Sequence, residues 1–245
     1  MLDSVPSTNA VVAERARTGA AEGTVLVAES QTAGRGRLDR TWNAPPYAAL
    51  TFSMLLGPDV PTARWPWLPL LTGVAVAEAV ERVTGVRCRL KWPNDVLVEE
   101  QKLAGILLER VETPARAYAV VGVGLNVSAT REELPVETAT SLRLCGASSL
   151  DRAELLRQLL HSFTAGYTRW QAAKGDPAAG LLPAYLRCCD TVGRVVRVSL
   201  PTGETVRGTA TGVDGSGRLV VSTSDGETTL GAGDVVHVRP DGRVT

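Results

Sequence analysis

The hydrophobic pattern of this 245-residue chain changes period after Asp190, and that change limits the folds open to it. From Thr191 onward the sequence runs VGRVVRVSL, ETVRGTATGVD, GRLVVSTS and ETTLGAGDVVHVRP. These are four or five short β-rich runs parted by Gly, Asp and Ser turns, with little helical period. They predict a small β-barrel-like module over 191–245. Upstream, helical and strand periods mix, so residues 1–190 read as one α+β domain. No long linker parts the two, and they are expected to pack together.

Within 1–190, Ser7, Thr8 and Asn9 precede VVAERARTG, a capping cluster and a closing Gly19 that predict a short helix. TVLVAES (24–30) and ALTFSMLL (49–56) predict strands. Apolar residues at helical spacing over 67–83, ending before Gly85, predict an amphipathic core helix. A short strand over 89–92 is interrupted by Pro93, with Asn94 and Asp95 at the bend. Strands over 95–98, 102–111 and 117–127 follow, the first two joined by Glu99-Glu100-Gln101, so this region reads as antiparallel sheet. Residues 128–148 are turn-rich and carry no clear period. Asp151 with Glu154 matches a capping box ahead of a helix to about Trp170, and a shorter helix covers 181–188.

Charge and composition exclude several classes. The 26 basic and 26 acidic residues cancel, so the summed field gives no reason to expect a general nucleic-acid or anionic-membrane binder. The start, MLDSVPSTNAVV, lacks a basic region followed by an apolar run. No apolar stretch reaches the ~20 residues that span a bilayer, and a cytoplasmic protein is expected. Cys88, Cys145, Cys188 and Cys189 have no CxxC spacing and read as reduced structural thiols. His161 and His237, the only histidines, are expected to be structural, so a histidine triad or metal cluster is not indicated. A divalent metal would be held mainly by substrate phosphates and carboxylates.

Chemistry concentrates in three stretches. QTAGRGRLDRTW (31–42) sets Arg35, Arg37 and Arg40 among the flexible Gly34 and Gly36, which suits a polyphosphate because the guanidinium fork stays charged and takes two oxygens at once. On this stretch alone, a solvated basic turn is an equal reading. Three of the 26 basic residues are lysines, and Lys91 and Lys102 fall together in KWPNDVLVEEQKLAGILLE. A buried ammonium there would need an anionic partner such as Asp95 or a phosphate, while a surface strand lysine is the plain alternative. VVGVGLNV (120–127) places Gly122 and Gly124 on one strand face with Asn126 beyond. That face admits either a flat ligand or tight sheet packing, and no dinucleotide fingerprint follows.

Taken in order, STN at 7–9, QTAGRGR at 31–37 with Arg40 and Trp42, KWPND at 91–95, KLAGIL at 102–107 with Glu109, and GVGLNV at 122–127 resemble the biotin protein ligase family. The resemblance covers most of residues 2–130, and the β-rich tail looks like the family's small SH3-like C-terminal domain. It implies a mixed, largely antiparallel sheet with packed helices of the class II aminoacyl-tRNA synthetase-like type. It also implies a two-step reaction in which biotin and ATP, with Mg2+, give biotinyl-5′-AMP and pyrophosphate. The acyl group then passes to a lysine of a biotin carboxyl carrier protein domain in a biotin-dependent carboxylase. By the resemblance, Lys102, Arg37 and Arg35 are catalytic, Lys102 contacting the biotin carboxylate and phosphate and Arg37 retaining the adenylate. Ser7, Thr8, Asn9 and Gln31 bind the biotin head, and Asp95 orients the acceptor lysine. Gly34, Gly36, Arg40, Trp42, Gly105, Gly122, Gly124 and Asn126 complete the expected substrate site.

Because the mixed anhydride hydrolyses readily, residues 34–40 are expected to act as a lid, mobile when empty and ordered over the adenylate. With STN at residue 7 there is no room for the helix-turn-helix domain of the family's repressors, so DNA binding is not expected. Members are often dimeric, and this sequence identifies no interface. Two other readings stay open: a lipoate or octanoate ligase or transferase of related fold, and a non-enzymatic nucleotide- or RNA-binding module using RGR and the β tail.

Overall fold

In the computed structural model, which describes residues 1–238, local signals start and stop most elements. β1 (Leu2–Val5) leads to Ser7, whose hydroxyl accepts the Ala10 amide and caps α1 (Thr8–Arg17). β2 (Val25–Gln31) and β3 (Ala49–Leu56) follow. α2 (Trp67–Thr84) ends where Gly85 takes φ 75°, a left-handed cap open to glycine without strain. β4 (Arg89–Lys91), β5 (Asp95–Val98), β6 (Gln101–Glu112) and β7 (Ala117–Asn126) come next. The peptide bond between Trp92 and Pro93 is cis. Asp151 Oδ1 accepts from the Ala153 and Glu154 amides to start α3 (Arg152–Ala172), and α4 (Leu181–Cys188) closes this part. The capping box is only half built, because Glu154 turns its carboxylate to Arg157 and Gln158 instead of back to the cap.

Seven strands form one sheet in the order β1-β2-β3-β7-β6-β5-β4, antiparallel throughout except where β1 runs parallel to β2. β1 lay outside the sequence reading because four mostly exposed residues carry no period. Alternation along β3 sorts the two faces. Leu50, Phe52, Met54 and Leu56 join the main core with α2 and α3, and Leu55 packs with Val12 and Ala16 of α1. α1 has 10 residues, so it spans only about 15 Å. It packs over the part of β2, β3, β7 and β6 that holds Leu26, Leu55, Val120 and Val111, and does not extend over the part of the same face that holds Thr51, Gly124 and Gly105. The segment 128–148 contributes no helix or strand, yet it is pinned to β6 by Lys102 N to Thr138 O and Thr140 N to Lys102 O.

β8 (Val195–Ser199), β9 (Thr205–Val213), β10 (Leu219–Thr223), β11 (Gly226–Leu230) and β12 (Asp234–His237) make a second, antiparallel sheet in the order β11-β10-β9-β8-β12. The end of the expected 191–245 module, 239–245, lies outside the described residues. Both sheets contribute to one buried cluster. Two buried indoles join them: Trp67 donates to Gly215 O at 3.1 Å and Trp92 to Gly217 O at 3.0 Å, so each apolar ring keeps its polar atom satisfied. The Cys88 and Cys188 thiols are pushed up to about 12 and about 11 by burial, as fits structural cysteines.

Thr191 forms a third joint. Its hydroxyl accepts the Trp92 amide and lies 3.1 Å from His237 Nε2. Burial, reinforced by Lys91 and Arg194 and opposed by Asp190, pushes the His237 pKa down to about 4. An unfolded histidine binds its proton near pH 6.5, so the folded state resists protonation and stability falls as pH drops from 6.5 towards 4, by on the order of 3 kcal/mol. Urea midpoints at pH 7.5 and 4.5 are expected to fall further in the wild type than in His237→Gln. Equal declines would place the acid sensitivity elsewhere.

Candidate active site

The part of the large sheet beyond α1 is floored by glycine. Cross-strand pairing runs Ala28, Thr51, Gly124, Gly105, Asp95, Lys91 in one row across β2, β3, β7, β6, β5 and β4. The adjacent row holds Ser53, Gly122 and Leu107. Where the row loses its side chains, other parts of the chain descend. A Cβ on Gly124 would sit 2.2 Å from Trp42 Cε2, one on Gly105 3.3 Å from Trp42 Cζ3, and one on Gly122 2.2 Å from Asn9 Oδ1. The glycines thus let Trp42 and Asn9 lie directly on the sheet, and a cavity of about 110 Å³ opens between them.

The glycine–arginine loop roofs the cavity. Trp42 N bonds Gly34 O, and Gly36 N bonds Arg40 O, with Leu38 and Asp39 at φ 53° and 57° in the turn. Gly34 serves the base of this loop, since a Cβ there would lie 2.2 Å from Trp42 O. Arg35 pairs with Glu109 at 3.0 Å. Arg37 donates to Asn94 Oδ1 at 3.1 Å and to Gly233 O at 3.2 Å. Asn94 is oriented for this by its own amide, which donates to Ile106 O. Arg40 takes both oxygens of Asp234, which stands on the small sheet. Burial lowers the pKa of Arg37, with Asp95 and Asp234 opposing it, and burial also lowers that of Lys91. Lys102 Nζ lies 2.6 Å from Asp95 Oδ1. The angles of that contact miss those of a hydrogen bond, so the carboxylate oxygen is buried with charge compensation alone.

At the opposite end the α1 N-terminus supplies neutral groups. Thr8 N and Oγ1 both donate to Gln31 Oε1, at 2.7 and 3.0 Å. Ser53 Oγ donates to Asn9 Oδ1 at 2.6 Å and lies 2.7 Å from Thr8 Oγ1. Asn9 Nδ2 donates to Glu109 Oε2 at 2.7 Å. One end of the cavity is thus cationic and the other carries amides and hydroxyls, an arrangement suited to a ligand with an anionic and a polar neutral end.

Most residues singled out in the sequence meet here. Ser7, Thr8, Asn9, Gln31, Arg35, Gly36, Arg37, Arg40, Trp42, Asp95, Lys102, Gly105, Gly122 and Gly124 all line the cavity. Asn126 does not: it is buried with its amide donating to Thr140 O, where it anchors the 128–148 segment. Thr51, Asn94 and Asp234 also line the cavity and were missed, and Ser53 stands behind it. Asn94 was read only as a bend residue. Asp234 is joined to Arg40 across 194 positions, a separation at which no local pattern exists.

Comparison with known proteins follows the same lines. Residues 1–126 match the model of the biotin/lipoate A/B protein ligase family, and 191–238 match the biotin protein ligase C-terminal domain. A biotin–[acetyl-CoA-carboxylase] ligase of Mycobacterium tuberculosis is 42% identical over 238 residues, covering 95% of this chain and 86% of that one. The bifunctional ligase/repressor BirA of Bacillus subtilis is 33% identical, over 95% and 72%. The Aquifex aeolicus biotin protein ligase, solved with biotin and ATP, superposes with a TM-score of 0.77 at 29% identity, covering 96% of this chain and 95% of that one. Sequence, both matched regions and overall structure agree, and the chain belongs to the biotin protein ligase family.

Proposed function

We propose that this chain joins biotin to ATP as biotinyl-5′-AMP, releasing pyrophosphate, and transfers the biotinyl group to a lysine of a biotin carboxyl carrier protein in the cytoplasm. We take residues 1–190 as the catalytic unit and 191–245 as the appended β domain. One observation carries the reading: Arg35, Arg37, Arg40 and Lys102 converge on one cavity over a glycine floor. A carboxylate and a triphosphate repel each other, and fixed cations lower the cost of bringing them together and of the charge that develops as the carboxylate oxygen attacks the α-phosphorus.

In this scheme Lys102 turns from Asp95 to the substrate anions, and Arg37 holds the adenylate phosphate. Ser7, Thr8, Asn9 and Gln31 take the neutral head of biotin. The Trp42 indole N–H, buried without a hydrogen-bond partner among the described residues, offers a donor to the ligand. Asp95, released from Lys102, orients the acceptor amine, which attacks the acyl carbon, expels AMP and loses its proton. A metal cradle does not fit these residues. Asp95, Asp234 and Glu109 are each paired with a cation, and among the described residues no group of three or more His, Cys, Asp or Glu could hold an ion. Mg2+ would enter with the nucleotide phosphates.

Biotin-dependent exchange of pyrophosphate into ATP is expected, with none supported by lipoate. Exchange with lipoate alone would move the chain to the lipoate side of the family. Lys102→Ala is expected to slow adenylate formation by about 100-fold, the scale of losing one charge stabiliser. Arg37→Ala is expected to form the adenylate and leak it; unchanged single-turnover kinetics in both variants would overturn the assignment. Gly124→Ala, which displaces Trp42 from the floor, is expected to raise the KM for biotin and ATP by about tenfold or more. The added methyl meets the half-buried Trp42 ring and not the main core on the other face of the sheet, so the thermal midpoint should move little, and a large drop would instead mark the glycine as structural.

A further inference from the structure

Among the described residues, the hydrogen bonds that tie loop residues 36–41 to the rest of the chain run through two side chains, Arg37 and Arg40. Both reach the turn that opens β12. Arg37 donates to Gly233 O, and Arg40 takes both carboxylate oxygens of Asp234. The turn is shaped for this. A Cβ on Gly233 would lie 2.5 Å from Val198 Cγ1 and 3.3 Å from Ser199 O, so glycine lets the turn press onto β8 and leaves its carbonyl facing Arg37. Asp234 itself is the first paired residue of β12, opposite Ser199, and its side chain lines the cavity beside Arg40.

A carboxylate in the wall of an anion-binding cavity works against ligand binding unless a cation holds it. Here it is held by the roof, by the residue that sits beyond Arg37 on the same loop. The pair is bidentate, which fixes its geometry, yet the side chains are 61% and 39% exposed, which keeps it weak and sensitive to salt. A contact that is well defined in geometry and weak in energy suits a catch that opens and closes in every turnover, and a permanent structural bridge would be better served by burial.

We propose that Asp234 is a positioning residue: through Arg40 it latches the glycine–arginine loop over the cavity, so that the small sheet controls how long the activated intermediate is retained. This rests on the adenylating function proposed above. Asp234 touches no reacting atom. It acts on the escape of the adenylate more than on its formation.

The test uses the full chain as wild type, Asp234→Asn, Asp234→Glu, Arg40→Gln, the Asp234→Asn/Arg40→Gln double variant, and Glu227→Gln as a control on the exposed β11. Adenylate is formed from biotin and Mg-ATP without acceptor, excess substrate is removed, and release is timed. Release is expected to be about tenfold faster in Asp234→Asn, close to wild type in Asp234→Glu, and unchanged in Glu227→Gln. Pyrophosphate-exchange kcat should fall less than threefold in Asp234→Asn. The double variant should be no faster than either single one, as a shared contact requires. Raising NaCl from 0.05 to 0.5 M should speed release from the wild type and not from Asp234→Asn. Wild-type release from Asp234→Asn, or a fall in kcat that matches the gain in release, overturns the latch. Trypsin cleavage after Arg35, Arg37 and Arg40, followed without substrates, reads the latch independently. Faster cleavage in Asp234→Asn supports it and equal cleavage refutes it, whereas absent biotin-dependent exchange in the wild type refutes only the catalytic reading.

Discussion

The close approach of Trp42 to Gly124 and Gly105 is the contact on which the site depends. Two glycines lie in register on neighbouring strands, and the missing side chains leave a depression on the sheet face opposite the main core. Trp42 settles into it and brings down the loop that carries three arginines. Any larger residue at position 124 would meet the indole at a distance no Cβ adopts. The cation cluster above the floor is therefore a result of backbone geometry as much as of charge. Without the depression the arginines would project into water, where their field on a ligand is weak.

Electrostatic balance explains why so many cations can be held together. Arg35, Arg40 and Lys102 each have a carboxylate partner, Glu109, Asp234 and Asp95, and Arg37 rests on an amide oxygen and a backbone carbonyl. The partners come from different places: β6, the small sheet, β5, the bend before β5 and the turn before β12. The restraints are thus spread over both sheets, and none of the paired cations is deeply buried. In the proposed scheme, exchange of these partners for ligand anions costs little desolvation, since the cations stay in a polar environment.

The sequence made legible what is encoded locally. Ser7 and Asp151 cap the helices they were expected to cap, Gly85 ends α2, and the bounds of β3 and α4 agree with their apolar runs. Most cavity-lining residues between 7 and 124, Thr51 and Asn94 excepted, were readable because glycine, arginine and lysine occur there in patterns that ordinary packing does not require. What failed to show was non-local. β1 has four residues and gains its identity only by pairing with β2. Glu154 chose Arg157 over its cap for reasons of side-chain competition. Asn126, which looked like a ligand contact, serves the 128–148 segment, whose anchoring to Lys102 and Asn126 has no periodic trace. Ser53 and Asp234 are ordinary residues in their own runs, and tertiary placement alone gives them meaning.

The ties from Arg37 to Gly233 and from Arg40 to Asp234 close loops of 196 and 194 residues. Contacts of such separation offset the entropy of their closure only when the intervening chain is already in place, so they depend on the rest of the fold. The helices and the hairpin of β6 and β7 can be native while the roof of the cavity still lacks its far support. A molecule with a loosened small sheet would keep the large sheet and its helices and lose the Asp234 wall of the cavity. Competence of this site therefore reports on the completeness of the whole fold, and partly folded molecules are poorly equipped to hold a reactive acyl group.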